Sequence, residues 1–358
     1  MKKKPTLDDI AALAGVSKTA VSMILNEKKG VTFLEETIEK VHEAAKELGY
    51  AKKTPRLQKL SVFNKNTILV LAPTISSPFF TTIVQSIEQE ADKHGIHVII
   101  QNTFRDKERE LKYLEQIKDS NLYGLILTML PHHPKLLEEI NESIPVVIIN
   151  ERSFHADLDT VEVDNYSAGI LLAEHLISLG HKHIAYLTTA LSTLNIARVR
   201  RLEGINDTFR KLCPEGTVTV KSKRVRPVDE IRNINLEHDT GYELVHEVLP
   251  HKEITGIVAS TDMIAYGVLD ALEENGFSIP EDFSVCGFDN LFPSKFHGIS
   301  LTTVEHYILN KGQEAVEIIR SRQLKNREKI SSTSVLYQHK LIIRNSTGPA
   351  RKFQLKEM

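Results

Sequence analysis

Two hydrophobic rhythms divide this chain. Up to about residue 50 the apolar positions recur every three or four residues, and from Thr67 onward short apolar runs alternate with amphipathic stretches. In the first part Leu7, Ile10, Ala11 and Ala14 share one helical face, with Thr6 and Asp9 forming a capping pair at its start. Gly15 can end that helix in the left-handed conformation, Val16 can plug the corner, and Ser17 can cap a second helix. Ala20, Val21, Ile24 and Leu25 then pack inward and leave Lys18, Thr19, Ser22, Met23 and Asn26 facing out. A third helix carries Ile38, Val41, Ala45 and Leu48, with Thr32 and Glu35 as a second capping pair and Gly49 as its stop. Such a tight helix pair can lay the start of its second helix in the major groove of DNA, where short polar and long basic side chains reach base edges. Thr6 and Ser17, at the two helix starts, are placed with Lys18, Thr19, Ser22, Met23 and Asn26 as DNA-contacting residues. On spacing alone, an ordinary helical hairpin is the alternative.

The second part reads as repeated strand and helix units. Apolar strands are expected at 68–72, 97–101, 124–128 and 145–150, separated by helices over 79–94 and 107–119 and through Leu136 and Ile140. After a short strand at 161–163 the rhythm restarts. Helices are expected at 166–179, 196–211 and 263–275 and through Leu244 and Val248; strands are expected at 183–188, 256–260 and 284–288, with a polar β-like stretch at 218–225. Strands apolar on both faces imply parallel sheets covered by helices on both sides. So many units imply two α/β subdomains with a cleft between them, and ligands of such sheets bind beyond the C-terminal strand ends.

Charge sharpens this division. Residues 1–65 carry 13 Lys+Arg against 8 Asp+Glu, a net of +5, and the remainder carries −7 within a total of −2. A basic head on an acidic body suits a DNA-binding module joined to a domain that should not itself adhere to DNA. The segment 51–66 is basic and irregular, with Lys52, Lys53, Arg56, Lys59 and Lys65 around Pro55. Beside DNA it could neutralise phosphates, with Leu57 or Leu60 wedged into a minor-groove step; a plain flexible linker is the alternative.

Several chemistries are not expected. No apolar run approaches the ~20 residues that span a bilayer, and the basic N-terminus lacks an apolar leader, so a cytoplasmic protein with no membrane partner is expected. No G-x-S-x-G, H-E-x-x-H or P-loop motif is present, so neither an enzyme nor a cofactor is expected. Cys213 and Cys286 are expected to be reduced and packed. The pairs His132–His133 and His181/His183 have no third ligand pattern, fall in loop-like or strand-edge positions, and are not expected to bind metal.

The run DDIAALAGVSKTAVSMILN resembles the N-terminal motif of the LacI/GalR family of bacterial transcription regulators. The resemblance continues through SSPFF (76–80), VDNYSAG (163–169), LGHKHIAYL (179–187), GFDN (287–290), LTTV (301–304) and RNST (344–347). It implies a three-helix head and a periplasmic-binding-protein-like body of two parallel-sheet subdomains joined by three crossovers. It also implies a homodimer that grips double-stranded operator DNA and responds to a small effector. The loop before the third helix is about two residues longer than usual, and the linker TPRLQKL lacks the family's Pro-Asn start and Ala-Arg pair. Met23 stands where most members have Arg, so an apolar contact is expected there.

Polar residues at the expected strand ends and helix starts are the candidates for effector binding. Asn150 ends PVVIIN, Thr261 and Asp262 follow GIVAS, Asp289 follows SVCGF, and Arg201 sits within a helix. Carboxylates, amides and a guanidinium can bind adjacent hydroxyls, while Phe79 and Phe80 can stack on an apolar ring face. The resemblance supports these positions, most firmly Arg201, Asp289 and Phe80; Arg198 and Arg200 are expected at the surface. The expected domains are a helix-turn-helix head over 1–50, a linker over 51–66, an effector and dimerisation domain over 67–347, and a tail over 348–358. The expected function is sequence-specific transcriptional regulation, by repression, under a sugar or sugar phosphate. A nucleobase or a co-regulator protein is the alternative effector. A solute receptor or sugar enzyme on the same scaffold is the competing class.

Overall fold

The computed structural model describes residues 5–25, 33–48, 64–151, 157–192, 195–226, 229, 232–324 and 331–351, excluding the side chains of residues 150 and 151. The chain forms two compact units, Met1–Val62 and Phe63–Met358.

Within the first unit, helices α1 (Leu7–Ala14), α2 (Lys18–Leu25) and α3 (Glu35–Glu47) enclose Ile10, Val21, Ile24, Leu25, Val41, Ala44 and Ala45. The start of α1 is a reciprocal capping box: the Asp9 amide donates to Thr6 Oγ1 at 3.4 Å, and the Thr6 amide donates to Asp9 Oδ2 at 2.7 Å. Gly15 closes α1 at φ 68°, where a β-carbon would be strained. The Ala20 amide donates to Ser17 Oγ at 3.1 Å, capping α2. The expected Thr32–Glu35 cap does not start α3. Its N-cap is Leu34, with no side-chain bond, because the helix begins two residues later than that pair requires; Thr32 itself and the Gly49 stop lie outside the described residues.

The second unit contains two six-stranded sheets. The first lobe is built from β1 (Thr67–Ala72), α4 (Pro78–Lys93), β2 (His97–Asn102), α5 (Lys107–Ile117), β3 (Gly124–Leu127), α6 (Pro134–Asn141), β4 (Val146–Glu151) and β5 (Asp159–Val163). The second begins with α7 (Asn165–Ser178), β6 (His183–Thr188), α8 (Ile196–Leu212), β7 (Thr217–Ser222) and α9 (Leu236–Val245). It continues through β8 (Gly256–Ala259), α10 (Asp262–Glu274), β9 (Ser284–Asp289) and β10 (Thr302–Glu305). The chain then returns to the first lobe for α11 (Ile308–Leu324) and β11 (Ser334–Tyr337), and ends in the second with β12 (Lys340–Ile342).

The strand orders are β11-β5-β4-β3-β1-β2 and β12-β10-β9-β8-β6-β7. All pairings are parallel except β12 on β10. Burial on both faces explains the apolar runs. Ile68 and Val70 of β1 join residues of α4 and α11 in one core, while Leu69 and Leu71 join residues of α5 and α6 in another.

Three segments cross between the lobes, at residues 163–165, 305–308 and 337–340. The second and third are linked by rings. His306 and His339 have centroids 4.7 Å apart, and Tyr307 stacks on Tyr337 at 5.7 Å. In the second lobe, α7 and α8 approach closely where Gly169 faces Gly204. A β-carbon on Gly169 would lie 2.1 Å from the Arg201 carbonyl oxygen, and one on Gly204 would lie 2.1 Å from that of Tyr166. Among the described residues no helix is long and apolar enough to cross a membrane.

Candidate DNA-reading face and effector cleft

In the head, burial of Val21, Ile24 and Leu25 fixes the orientation of α2 and leaves Lys18 and Thr19 exposed at its start. Ser22 and Met23 are half-buried on its flank. Lys18 Nζ forms an ion pair with Asp8 Oδ2 at 2.7 Å across the two helices. The hydroxyls of Thr6 and Ser17 serve the helix caps. Asn26, Leu57 and Leu60 lie outside the described residues.

In the body, a cleft of about 1150 Å³, mouth included, is lined by residues of both lobes. Arg201, on α8, is 5% exposed. Its Nε donates to Asn165 Oδ1 at 2.7 Å, its Nη1 to the Ser260 carbonyl at 2.5 Å, and its Nη2 faces His306 Nε2 at 3.4 Å. The guanidinium lies over the Phe288 ring, 4.4 Å from the centroid. These contacts hold it at a defined place.

Asp289 ends β9 at φ 116° and is 5% exposed. Its Oδ1 lies 3.6 Å from Arg201 Nη2 and 3.9 Å from His306 Nδ1, and among the described residues no donor is within hydrogen-bonding distance of this carboxylate. Burial pushes its pKa well above the ordinary carboxylate value, with the Arg201 charge working the other way. His306 is pushed well below the usual histidine value by burial and then by the Arg201 charge. His339 is pushed down to about 4, chiefly by burial.

At the cleft's other side Arg198 Nη2 pairs with Glu237 Oε1 at 2.6 Å, and Thr261 Oγ1 donates to Glu237 Oε2 at 3.4 Å. Arg105 bonds Asn195. Phe79 and Phe80 meet edge-to-face at 5.2 Å and line the wall.

The sequence comparisons agree with this geometry. Residues 65–345 match the family described as periplasmic binding proteins and sugar binding domain of LacI family, and residues 6–53 match bacterial regulatory proteins, lacI family. The chain belongs to the LacI family. It is 31% identical over 355 residues to the HTH-type transcriptional regulator DegA of Bacillus subtilis (97% of this chain, 99% of that one). It is 29% identical over 345 residues to the HTH-type transcriptional repressor PurR of Haemophilus influenzae (95% and 98%). A solved LacI family transcriptional regulator from Enterococcus faecium with bound ribose is 26% identical, with a TM-score of 0.67 over 80% of this chain and 100% of that one. These relatives are DNA-binding transcriptional regulators rather than enzymes, and so is this LacI-family chain.

Within the LacI-family body, the structure brings Phe79, Phe80, Arg201, Thr261 and Asp289 to one cleft. It does not bring Asp262 there. Asp262 is fully buried and accepts from the Leu291 amide at 2.9 Å, Ser294 Oγ at 2.7 Å and Thr303 Oγ1 at 2.6 Å, so its carboxylate ties α10 to the segment after β9 and to β10. Burial raises its pKa to about 6. Asn150 lies at the C-terminal end of β4, opposite Glu162, but its side chain is outside the described residues.

The expectation for Arg198 is corrected: it is 8% exposed and lines the cleft, because Glu237 offsets its charge inside. Arg200 is at the surface, paired with Glu203 at 2.5 Å. His181 lies in the loop before β6, as expected, but is buried there. It is bonded to Thr255 Oγ1 at 2.7 Å and Ser284 Oγ at 2.9 Å, which satisfies both ring nitrogens. The His132 and His133 amides donate to the buried Glu110 Oε1 at 2.8 and 3.1 Å, which pins their loop. Cys213 and Cys286 are free and buried. A His-carboxylate group not visible in the sequence, Glu90, His94 and Glu317, has its acids already paired with Lys93 and Arg320 at 2.7 Å each.

Sequence reasoning missed Asn165, His306 and Lys311 as cleft residues. Lys311 had a signal: Ile308, Lys311, Gly312, Ala315 and Ile319 share one helical face, and a lysine on that inward stripe must serve an interior site.

Proposed function

We propose that this chain represses transcription as a cytoplasmic homodimer bound to a near-palindromic operator, and that a carbohydrate entering the cleft changes its affinity for DNA. The observation that carries the reading is Asp289, a carboxylate that among the described residues has no hydrogen-bond donor and lies 3.6 Å from an immobilised Arg201. The carboxylate faces the cleft, and adjacent ligand hydroxyls would supply donors to it there. Phe79 and Phe80 offer the apolar surface that a sugar ring's C–H face requires. The ribose-bound relative supports the same ligand class. One small head makes few base contacts, so two copies are needed to read an operator. The exposed edge-to-face pair Phe292 and Phe296, centroids 5.2 Å apart, is a candidate for part of the face on which two bodies meet. A regulator of genomic DNA works in the cytoplasm.

Selection from randomised duplexes tests the DNA half: one near-palindromic sequence should emerge, whereas equal attachment to all duplexes, abolished by salt, defeats the reading. Titration of sugars into the operator complex tests the other half, because effector and DNA affinities must change reciprocally.

A further inference from the structure

Two stretches whose sequence stood out, GFDN at 287–290 and RNST at 344–347, meet at Asn290. Asp289, which ends β9, and Asn290 both have positive φ, 116° and 51°. Residues other than glycine rarely adopt such backbone, and it persists only where the surroundings hold it. Asn290 is held in three ways. Its amide donates to Thr303 Oγ1 at 3.3 Å, its Oδ1 accepts from Arg344 Nη2 at 2.6 Å, and its Nδ2 donates to Glu305 Oε2 at 2.5 Å. A guanidinium can only donate and a carboxylate can only accept, which fixes the orientation of the side-chain amide between them. Arg344 is itself anchored, since its Nη1 donates to the Leu301 carbonyl at 2.6 Å. Glu305 carries the connection onward. It lies opposite Asp289 in the register of β9 and β10, its Oε1 accepts from the Tyr307 amide at 2.7 Å, and Tyr307, at φ 50°, stacks on Tyr337 of the third crossover. Two hydrogen bonds thus join the residue beside Asp289 to the second crossover.

A ligand drawing on the Asp289 carboxylate pulls on the backbone of Asn290. Bonds to a charged group are the stronger ones, and each member of this path has one arrangement that satisfies all its partners, so a small shift at one end is passed along. We infer that Asn290 and Glu305 are positioning residues, through which a ligand bound at Asp289 resets the hinge at Tyr307. The inference rests on the effector site proposed above, and it holds for whichever effector enters that site.

The test exchanges donor and acceptor across the bond between Asn290 and Glu305 in the full chain, with the operator selected from randomised duplexes. Asn290→Asp keeps the acceptor for Arg344 and a residue type that tolerates positive φ, but sets one carboxylate against another. Glu305→Gln keeps an acceptor for the Tyr307 amide but sets one amide donor against another. The two substitutions together remake the bond in reverse, the new amide donating to the new carboxylate. Each single variant should speed hydrogen exchange at the Tyr307 amide at least about tenfold, and should change the operator affinity of the ligand-free chain at least about threefold, both in the same direction. The double variant should bring both quantities back to within about twofold of the parent, which a merely structural loss at either residue would not do. Where a sugar alters the parent's operator affinity, each single variant should blunt that response and the double variant restore it. Unchanged exchange at Tyr307 in both single variants overturns the link to the hinge. Faster exchange at unaltered operator affinity overturns its bearing on DNA, and defects that add in the double variant overturn the pairing of the two residues. Sugars without effect on the parent defeat the carbohydrate reading alone, while exchange and ligand-free operator affinity still decide the inference.

Discussion

Lys18 Nζ lies 2.7 Å from Asp8 Oδ2, so a side chain proposed to reach base edges is held by a carboxylate on the preceding helix. Both partners are exposed, and such a pair contributes under about 1 kcal/mol to folding. Its effect should therefore appear in DNA binding. Asp8→Asn should strengthen attachment to every duplex and steepen its salt dependence, since one phosphate-attracted cation is released. Lys18→Ala should relax operator preference, costing about 1–3 kcal/mol at one base position. Unaltered preference in a randomised-operator selection would remove Lys18 from the reading face.

Arg201 and Asp289 should behave differently when removed. Arg201→Met keeps stacking area over Phe288 but loses the bonds to Asn165 and the Ser260 carbonyl. It should leave operator affinity intact while abolishing the response to effector. Asp289→Asn removes an ionisable group that burial disfavours and should fold at least as stably as the parent while binding effector at least about tenfold more weakly. Tm and effector titration on the same preparations separate the two effects.

The residues that could be read from the chain and those that could not differ in a physical way. β1 and β6 were legible because strands covered on both faces carry uninterrupted apolar runs. Thr6, Gly15 and Ser17 were legible because caps are local chemistry. The return of α11 and β11 to the first lobe was implied by the family resemblance but not by the hydrophobic pattern, since it depends on which sheet edge is left open after β5 has formed. Asp262 and Asp289 looked equivalent as acids after apolar runs. Only the non-local donors Ser294 and Thr303, brought in by packing, make the first structural and leave the second facing the cleft.

Gly169→Ala should disturb effector binding without touching the cleft. The added carbon would sit 2.1 Å from the Arg201 carbonyl oxygen, so α8 must move away from α7. Overpacking of this kind costs about 1–3 kcal/mol. Thermal unfolding should register that loss together with weakened effector binding, whereas an unchanged Tm would show that the helices can part freely.

Acid should destabilise the body through its hinge histidines. His339, pushed down to about 4, stays neutral in the folded state while an unfolded histidine protonates near pH 6.5. Its contribution is fully present above pH 6.5 and is lost as pH falls toward 4, because the unfolded chain then binds the extra proton. His306 acts with the same sign. Urea unfolding at pH 7 and pH 5 should show the decline, and His339→Gln should flatten it.

Phe292, 71% exposed beside Phe296, should mark the meeting face of two bodies. Phe292→Asp should convert the proposed dimer to monomer in sedimentation and cut operator affinity by at least about tenfold, since one head would read half the site. A dimer that persists with full affinity places the interface elsewhere.

The ring contacts between the crossovers bear on how the lobes move. Because His306 lies against His339 and Tyr307 against Tyr337, neither strap can swivel without dragging the other. Partial rotation breaks stacking before a new seating is available, so the body should snap between two settings rather than drift through a continuum. His306 also lines the cleft proposed to take the effector, so on that proposal the trigger and the axle would share a side chain.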